Sequence, residues 1–234
     1  MDVLFLRNGD MRKTQENFLN DALGTPLFRG IGRDETAELI RLMQGEIFSF
    51  GSGQSIMEET EGEPEKHLLL LLSGMVQLVR YSEKGVRYMI DYTLPGDVIG
   101  YTDVYGGAHN HRCFYIAGRR SILLRLKPYE GDDAALLTFN NNLLGIISNK
   151  NESLIRKVDI TSHRSVRGKI LLYLAYESRE KGKSFNIPLN RQELADYICV
   201  DRTTLSSTLS TLQKEGLIKT EKAHFELYAN IGEG

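Results

Sequence analysis

Residues 190–218 read NRQELADYICVDRTTLSSTLSTLQKEGLI, and the second half of this stretch decides the fold. Leu205, Leu209 and Leu212 stand at positions i, i+4 and i+7, which is the single apolar stripe of a helix packed on a core. The polar positions of that helix are Arg202, Thr203, Ser206, Ser207, Ser210 and Gln213. Ser and Thr are mediocre helix formers, because their hydroxyls compete for backbone groups. A run of them on one helix therefore indicates that the hydroxyls have a use.

Short hydroxyl and amide side chains around one arginine suit the major groove of DNA, where base edges are recognised at close range. The alternative is a polar face that is only wetted by solvent. The residues before the helix favour DNA. Asn190 and Glu193 have capping-box spacing at the start of a first helix, whose buried stripe is Leu194, Ala195 and Ile198.

Asp201 is placed to cap the second helix, which leaves Arg202 in a first turn whose exposed amides favour phosphate. Gly216 follows the helix where a C-terminal glycine is usual. Residues 217–218 and 225–228 then read as two short strands flanking 221–223. Two helices at a tight turn followed by a β-hairpin predict a winged helix-turn-helix.

The overall composition is that of an ordinary soluble protein with more than one domain. The chain has 234 residues, 41% of them hydrophobic and 26% charged, and a domain usually takes roughly 100–200 residues. The net charge of −2 hides an asymmetry: residues 164–234 carry 11 basic and 9 acidic side chains, whereas residues 1–163 carry 18 and 22. The C-terminal part is therefore slightly basic, but this excess is modest for a DNA-binding part, so any affinity must come from where the charges lie.

Several other classes of protein fit the sequence poorly. No apolar run reaches the roughly 18 residues of a membrane span, and the first 15 residues show no secretory signal. Cys113 and Cys199 lie far apart and match no disulfide, metal or redox spacing. We therefore expect a cytoplasmic protein without a membrane partner. No convincing nucleophile, base or phosphate-binding glycine loop indicates an enzyme.

Residues 45–126 have the pattern of closely spaced strands. Short apolar runs such as 46–50, 67–72, 75–81, 86–94, 113–117 and 121–126 are separated by Gly, Pro and Ser. This spacing predicts a sandwich or jelly-roll barrel. The whole chain is thus expected to be α+β.

Residues 133–158 predict one long helix with a heptad repeat. Its a positions are Leu137, Leu144, Asn151 and Val158, and its d positions are Asn140, Ile147 and Leu154. About three heptads of this kind favour a dimeric coiled coil, in which a buried Asn fixes the register. The alternative is an amphipathic helix that lies on its own barrel.

A β-roll, a long helix and a C-terminal winged helix in this order resemble the cyclic-AMP receptor and fumarate–nitrate regulator (CRP/FNR) family of bacterial transcription factors. The resemblance covers nearly the whole chain and is most specific over residues 191–218, with LPGDVIG at 94–100 similar to a turn inside the family's roll. It implies a cyclic-nucleotide-binding-like sensor domain (1–127), a dimerisation helix (128–160) and a DNA-binding domain (161–234). It also implies a homodimer on a palindromic operator, and it allows RNA polymerase as a partner.

The resemblance assigns roles to the helix-turn-helix residues. Arg191 and Gln192 would contact phosphates, Arg202 and Thr203 would contact base edges, and Thr204 would bond a phosphate oxygen. Ser206 and Ser207 belong to the same DNA-binding set, and Ser207 stands where many members carry a long basic side chain. Cys199 replaces a turn glycine of many members, and we expect it to be a small buried filler.

The effector is less well defined by the resemblance. Relatives that bind cyclic nucleotides hold the ribose with a Glu, but here Tyr101 follows Gly100. Arg112 stands near the position of the phosphate-binding Arg and is followed by bulky Cys113 and Phe114. These differences argue against a cyclic nucleotide, and two cysteines cannot ligate an iron–sulfur cluster. A small organic or anionic effector, or none, remains, with Tyr101, Arg112, Cys113 and Phe114 as candidate contacts.

Two other functions stay open on the sequence alone. His109 and His111 have the spacing of metal ligands on a strand, as in a barrel metalloprotein, but no carboxylate follows at the spacing that such sites use, so we assign no metal. A ligand-binding protein whose winged helix mediates protein contacts is the other alternative.

Overall fold

The computed structural model describes residues 2–3, 11–56, 66–106 and 113–228. The chain forms two compact units, Met1–Arg80 with Ile90–Lys150 and Tyr81–Met89 with Asn151–Gly234. The helices are α1 (Met11–Leu23), α2 (Arg33–Leu42), α3 (Tyr101–Tyr105), α4 (Ala134–Ser162), α5 (Val166–Lys181), α6 (Arg191–Ile198) and α7 (Arg202–Lys214), with a 3₁₀ turn at Pro26–Phe28. None of the helices in these ranges is both long enough and apolar enough to cross a bilayer.

The strands form three sheets. They are β1 (Asp2–Val3), β2 (Glu46–Phe50), β3 (Leu68–Ser73), β4 (Val76–Tyr81), β5 (Arg87–Thr93), β6 (Val98–Ile99), β7 (Cys113–Ala117), β8 (Ser121–Leu126), β9 (Ser184–Asn186), β10 (Ile218–Glu221) and β11 (His224–Leu227). The sheet orders are β1-β2-β8-β3-β6, β5-β4-β7 and β10-β11-β9. The first two sheets confirm the predicted β-rich N-terminal part.

The run of leucines in β3 is explained by burial on both faces of the sheet. Leu69 and Leu71 belong to a core with Phe48, Val76 and other apolar side chains, which lies between strands of the two N-terminal sheets. Leu68 and Leu70 face a second core, formed by side chains of α1, α2 and α4 over the other face of the five-stranded sheet. A strand buried on both faces has a continuous apolar sequence rather than an alternating one.

The LPGDVIG turn needs its glycines for backbone reasons. Gly96 donates its N–H to the Leu71 carbonyl at 2.8 Å and has φ +94°. Gly100 has φ +85°, and a Cβ at this position would lie 2.3 Å from the carbonyl oxygen of His67. Only glycine combines the left-handed conformation with so close an approach.

Helix α4 has two apolar faces. Leu136, Phe139, Leu143 and Ile146 are buried in the second core, so the helix does lie on its own roll. One residue later along the helix, Leu137 and Leu144 are 64% and 63% exposed, and Leu154 and Val158 continue the exposed stripe at 37% and 61%. The long helix is confirmed, and it ends at Ser162 rather than at residue 158.

The C-terminal helices and strands form the predicted winged helix, with one addition. Strands β10 and β11 pair antiparallel, with Thr220 opposite Phe225. Strand β9 was not predicted; it pairs with β11 so that Phe185 lies opposite Phe225. The apolar stripe of α7 is buried, as expected, at Leu205, Leu209 and Leu212.

Candidate nucleic-acid interface

Both helices of the helix-turn-helix begin at the predicted caps. Asn190 Oδ1 accepts hydrogen bonds from the amides of Gln192 (2.9 Å) and Glu193 (3.0 Å), while Glu193 Oε2 accepts from the Asn190 amide at 2.7 Å. Asp201 Oδ1 accepts from the amides of Thr203 (2.8 Å) and Thr204 (3.1 Å). These amide donors hold the pKa of Asp201 below its usual value. Because these caps fix the first turn of each helix, the residues at the start of α7 are held in a definite position.

The predicted DNA-binding face of α7 is exposed at every predicted position: Arg202, Thr203, Thr204, Ser206 and Ser207. Within the described ranges, Arg202 makes no hydrogen bond or ion pair. Its guanidinium is therefore free to meet a ligand.

Several hydroxyls of α7 donate to the helix itself. Ser207 Oγ donates to the Thr204 carbonyl at 3.0 Å, and Ser210 Oγ donates to the Ser206 carbonyl at 3.0 Å. Thr208 and Thr211 bond the carbonyl four residues earlier in the same way. This back-bonding satisfies the hydroxyl protons and leaves each hydroxyl oxygen able to accept a further hydrogen bond.

Arg191 is less exposed than a simple phosphate contact would be. Its guanidinium lies 4.8 Å from the centre of the Phe225 ring and donates to Thr220 Oγ1 on β10. Burial lowers the pKa of Arg191. We call the hairpin β10–β11 the wing. Arg191, at the start of α6, therefore also contacts both strands of the wing.

Gln192 is exposed and belongs to a short polar chain. Its Nε2 donates to Asp196 Oδ1 at 2.7 Å, one turn further along α6. Asp196 also accepts a hydrogen bond from Arg87 at the start of β5. Sequence reasoning missed Arg87 because a contact between residues 109 positions apart leaves no local pattern.

The expectation that Cys199 is buried is wrong. Cys199 is exposed and ends α6 in the left-handed conformation, with φ 54° and ψ 58°. A residue in this conformation turns the chain between the two helices, which is why glycine suits the position. The strained backbone, and not packing, is the constraint there.

The described candidate effector contacts lie on two elements, α3 and β7. Tyr101 is half-buried at the start of α3, where burial raises its pKa. On β7, Cys113 is half-buried and Phe114 is 36% exposed. Arg112, and the histidines at 109 and 111, lie outside the described residues. In the described ranges no group of three potential metal-ligating side chains occurs.

A buried ion triad next to Tyr101 was not predicted. Lys150 Nζ on α4 lies 3.1 Å from Asp91 Oδ2 and 3.2 Å from Asp97 Oδ2, and it donates to the Tyr92 carbonyl at 2.7 Å. Burial alone would lower the pKa of Lys150, but the two carboxylates outweigh burial and raise it. Burial raises the pKa of Asp91, and the Lys150 ammonium opposes this rise without cancelling it. The triad fastens α4 to β5 and to the LPGDVIG turn.

Capped helices with an exposed polar face and a wing define a DNA-binding domain in the C-terminal part of the chain, and the N-terminal part is a β-roll. Two family comparisons agree with this class. Residues 168–227 match the Crp-like helix-turn-helix domain, and residues 47–129 match the cyclic nucleotide-binding domain.

Known transcription regulators are similar to this chain over most of its length. The chain is 24% identical over 203 residues to the transcriptional activator protein FnrL of Cereibacter sphaeroides, covering 81% of this chain and 79% of that protein. It is 24% identical over 184 residues to the nitrogen fixation regulation protein FixK of Bradyrhizobium diazoefficiens, covering 74% of each. The structure of FixK2 from Bradyrhizobium japonicum superposes with a TM-score of 0.59 at 17% identity, covering 79% of this chain and 93% of that one.

The chain belongs to the CRP/FNR family of transcription regulators. It combines a sensor domain of the cyclic-nucleotide-binding fold with a helix-turn-helix DNA-binding domain, and it is a regulator and not an enzyme.

Proposed function

We propose that this regulator is cytoplasmic and binds a palindromic DNA operator as a homodimer, with α7 of each copy in a major groove. The observation that carries the proposal is the exposed face of α7, where Arg202 lies in a capped first turn and has no hydrogen-bond or ion-pair partner among the described residues. A bidentate contact from Arg202 to guanine O6 and N7 fits this position. Thr203, Ser206 and Ser207 would contact neighbouring bases, and Gln192, Arg191 and Thr204 would contact phosphates.

The exposed stripe of α4 supports the homodimer. Leu137, Leu144, Leu154 and Val158 are large apolar side chains at a and d spacing, and all are exposed in a single copy. A second copy of the same helix would bury this stripe, with Asn140 and Asn151 setting its register. Symmetric dimers bind half-sites about one helical turn (~34 Å) apart.

Oligomeric state tests the dimer. The double variant Leu144→Glu/Leu154→Glu places two charges on the exposed stripe and should sediment as a monomer. Asn149→Glu adds one such charge at an exposed f position outside the seam and should remain a dimer. Equal sedimentation of the two variants would contradict the α4 seam.

For the sensor domain, we propose a small organic or anionic effector other than a cyclic nucleotide. Tyr101 stands where nucleotide-binding relatives hold the ribose with a Glu, and it is half-buried. Tyr101, Cys113, Phe114 and Arg112 are the candidate contacts. Thermal-shift measurements with cyclic nucleotides and with small organic acids test this choice: stabilisation by a cyclic nucleotide alone would overturn it.

DNA recognition is tested by selecting genomic fragments that the purified chain retains, with and without metabolites. Arg202→Ala should cost about 1–3 kcal/mol on the selected operator and relax specificity at one base pair per half-site. Arg120→Met removes a cation from an exposed turn of the roll and should leave both unchanged. If no fragment is retained, the winged helix does not serve DNA, and protein contacts become the better account.

A further inference from the structure

Helix α6 carries more acid than base, although its first turn is proposed to meet phosphate. It has one basic side chain, Arg191, and two acidic ones, Glu193 and Asp196. Asp196 lies one turn after Gln192, which is about 6 Å along the helix axis. A charge at that range lies within the Debye length of about 10 Å at 0.1 M salt. An uncompensated Asp196 carboxylate would therefore repel a phosphate bound at Gln192.

The cation that pairs with Asp196 comes from a distant part of the sequence. Arg87, the first residue of β5, donates a hydrogen bond to Asp196 Oδ2. The Arg87 and Asp196 side chains are 28% and 10% exposed, so water screens the pair only in part. The other carboxylate oxygen accepts from Gln192 Nε2 at 2.7 Å. The charge count of residues 164–234 thus omits one cation that α6 uses.

A second contact holds the segment that carries Arg87. Lys157 Nζ donates to the Met89 carbonyl at 3.1 Å and lies 3.8 Å from the centre of the Tyr197 ring. Tyr197 follows Asp196 on α6, and Tyr81–Met89 belong to the same compact unit as this helix. Because both ends of residues 87–89 are held, the Arg87 guanidinium has a fixed place beside the Asp196 carboxylate.

We propose that Arg87 is a positioning residue for DNA binding, which cancels the charge of Asp196 so that α6 can present Gln192 to a backbone phosphate. The bond to Asp196 orients the Gln192 amide, which keeps a second N–H for the phosphate. Arg87 itself does not touch DNA. This inference rests on the proposed function, and it adds Arg87 and Asp196 to the residues that determine DNA affinity.

Two neutralising substitutions should change DNA affinity in opposite directions. Asp196→Asn keeps an oxygen for Gln192 and releases the Arg87 charge, so it should bind a labelled random-sequence duplex more tightly, although it breaks an ion pair. Arg87→Gln keeps a donor for Asp196 but leaves its charge uncompensated, so it should bind more weakly. Each change should be roughly twofold to tenfold per half-site at low salt, as expected for unit charges about 10 Å apart near a protein surface. The double variant should bind like the wild type.

The salt dependence of binding separates charge from folding. The slope of log K against log salt should be steeper than wild type for Asp196→Asn and shallower for Arg87→Gln. Arg87→Lys keeps the charge and should keep the wild-type slope. Glu38→Gln frees Arg41 from an exposed ion pair on α2 and should leave both affinity and slope unchanged. Affinities are referred to the binding-competent fraction, measured by stoichiometric titration, so that lost stability does not enter.

The outcomes distinguish the two claims. A wild-type chain that binds no duplex refutes the proposed function and this inference with it. A wild-type chain that binds DNA, with Asp196→Asn and Arg87→Gln both equal to it, refutes the role of Arg87 alone. Weaker binding by both variants at an unchanged slope also refutes that role, because the pair would then act only through the fold of α6.

Discussion

Replacing Lys150 by Met should destabilise the N-terminal unit strongly. The side chains of Lys150 and Asp91 are 10% and 15% exposed, whereas Asp97 is 35% exposed. Removing one partner of a buried ion pair typically costs about 3–5 kcal/mol. Because Asp97 can turn towards water, we expect the lower end of that range, about 3 kcal/mol at neutral pH.

The cost should depend on pH in a definite direction. The folded-state pKa of Asp91 lies above its usual value, so the folded state holds the proton more tightly. Stability therefore falls as pH rises from the unfolded pKa of Asp91 to its folded pKa. Without Lys150, which lowers the pKa of Asp91, this fall becomes larger. The difference between wild type and Lys150→Met should shrink as the pH is lowered from 7 towards 4.

Urea unfolding followed by far-UV circular dichroism suits a chain without Trp. Since two units can unfold separately, hydrogen exchange at the amides of β3 and β8 should report the N-terminal unit. Adding Asp91→Asn to Lys150→Met should restore most of the loss. Arg41→Met, which breaks the exposed pair with Glu38, should change little. A Lys150→Met variant as stable as wild type, or equally destabilised at both pH values, would refute the triad.

Three further substitutions test the C-terminal unit by urea unfolding. Cys199→Gly should stabilise it by about 1 kcal/mol, because glycine accepts φ 54° without strain; Cys199→Ala should give no gain. Asn190→Ala should cost about 1 kcal/mol through the lost cap, and Asn190→Asp should cost little. Arg87→Ala should cost about 1–3 kcal/mol, since it leaves the largely buried Asp196 carboxylate without the hydrogen bond from Arg87; an unchanged midpoint would show that this pair contributes nothing.

The helix-turn-helix could be predicted because its signals are local. Asn190, Glu193 and Asp201 bond amides two or three residues away, so spacing alone specifies the geometry. Gly216, just after α7, has φ +72°, a left-handed conformation that glycine adopts readily. The same reasoning failed at Cys199, where the position at the turn, and not the apolar character of the thiol, sets the exposure.

Contacts between distant segments could not be predicted in the same way. Strand β9 has three residues, too few to show alternation, and it becomes a strand only by pairing with β11. The sequence does give a partial indication of the ion triad of Lys150, Asp91 and Asp97. The buried stripe of α4 that contains Leu143 and Ile146 reaches Lys150 and Lys157 at heptad spacing, and a buried lysine needs a partner. The sequence does not indicate which acids supply it.

Several of these contacts between distant segments are made by residues of strand β5. Its Asp91 and Tyr92 hold Lys150, and the carbonyl of Met89 accepts from Lys157, two turns further along α4. At its first residue, Arg87 holds Asp196, which in turn holds the amide of Gln192. Lys150 lies 59 positions from Asp91, Lys157 lies 68 positions from Met89, and Arg87 lies 109 positions from Asp196. None of these bonds leaves a local sequence pattern, which is why the sequence predicts strand β5 but not the side chains that hold it.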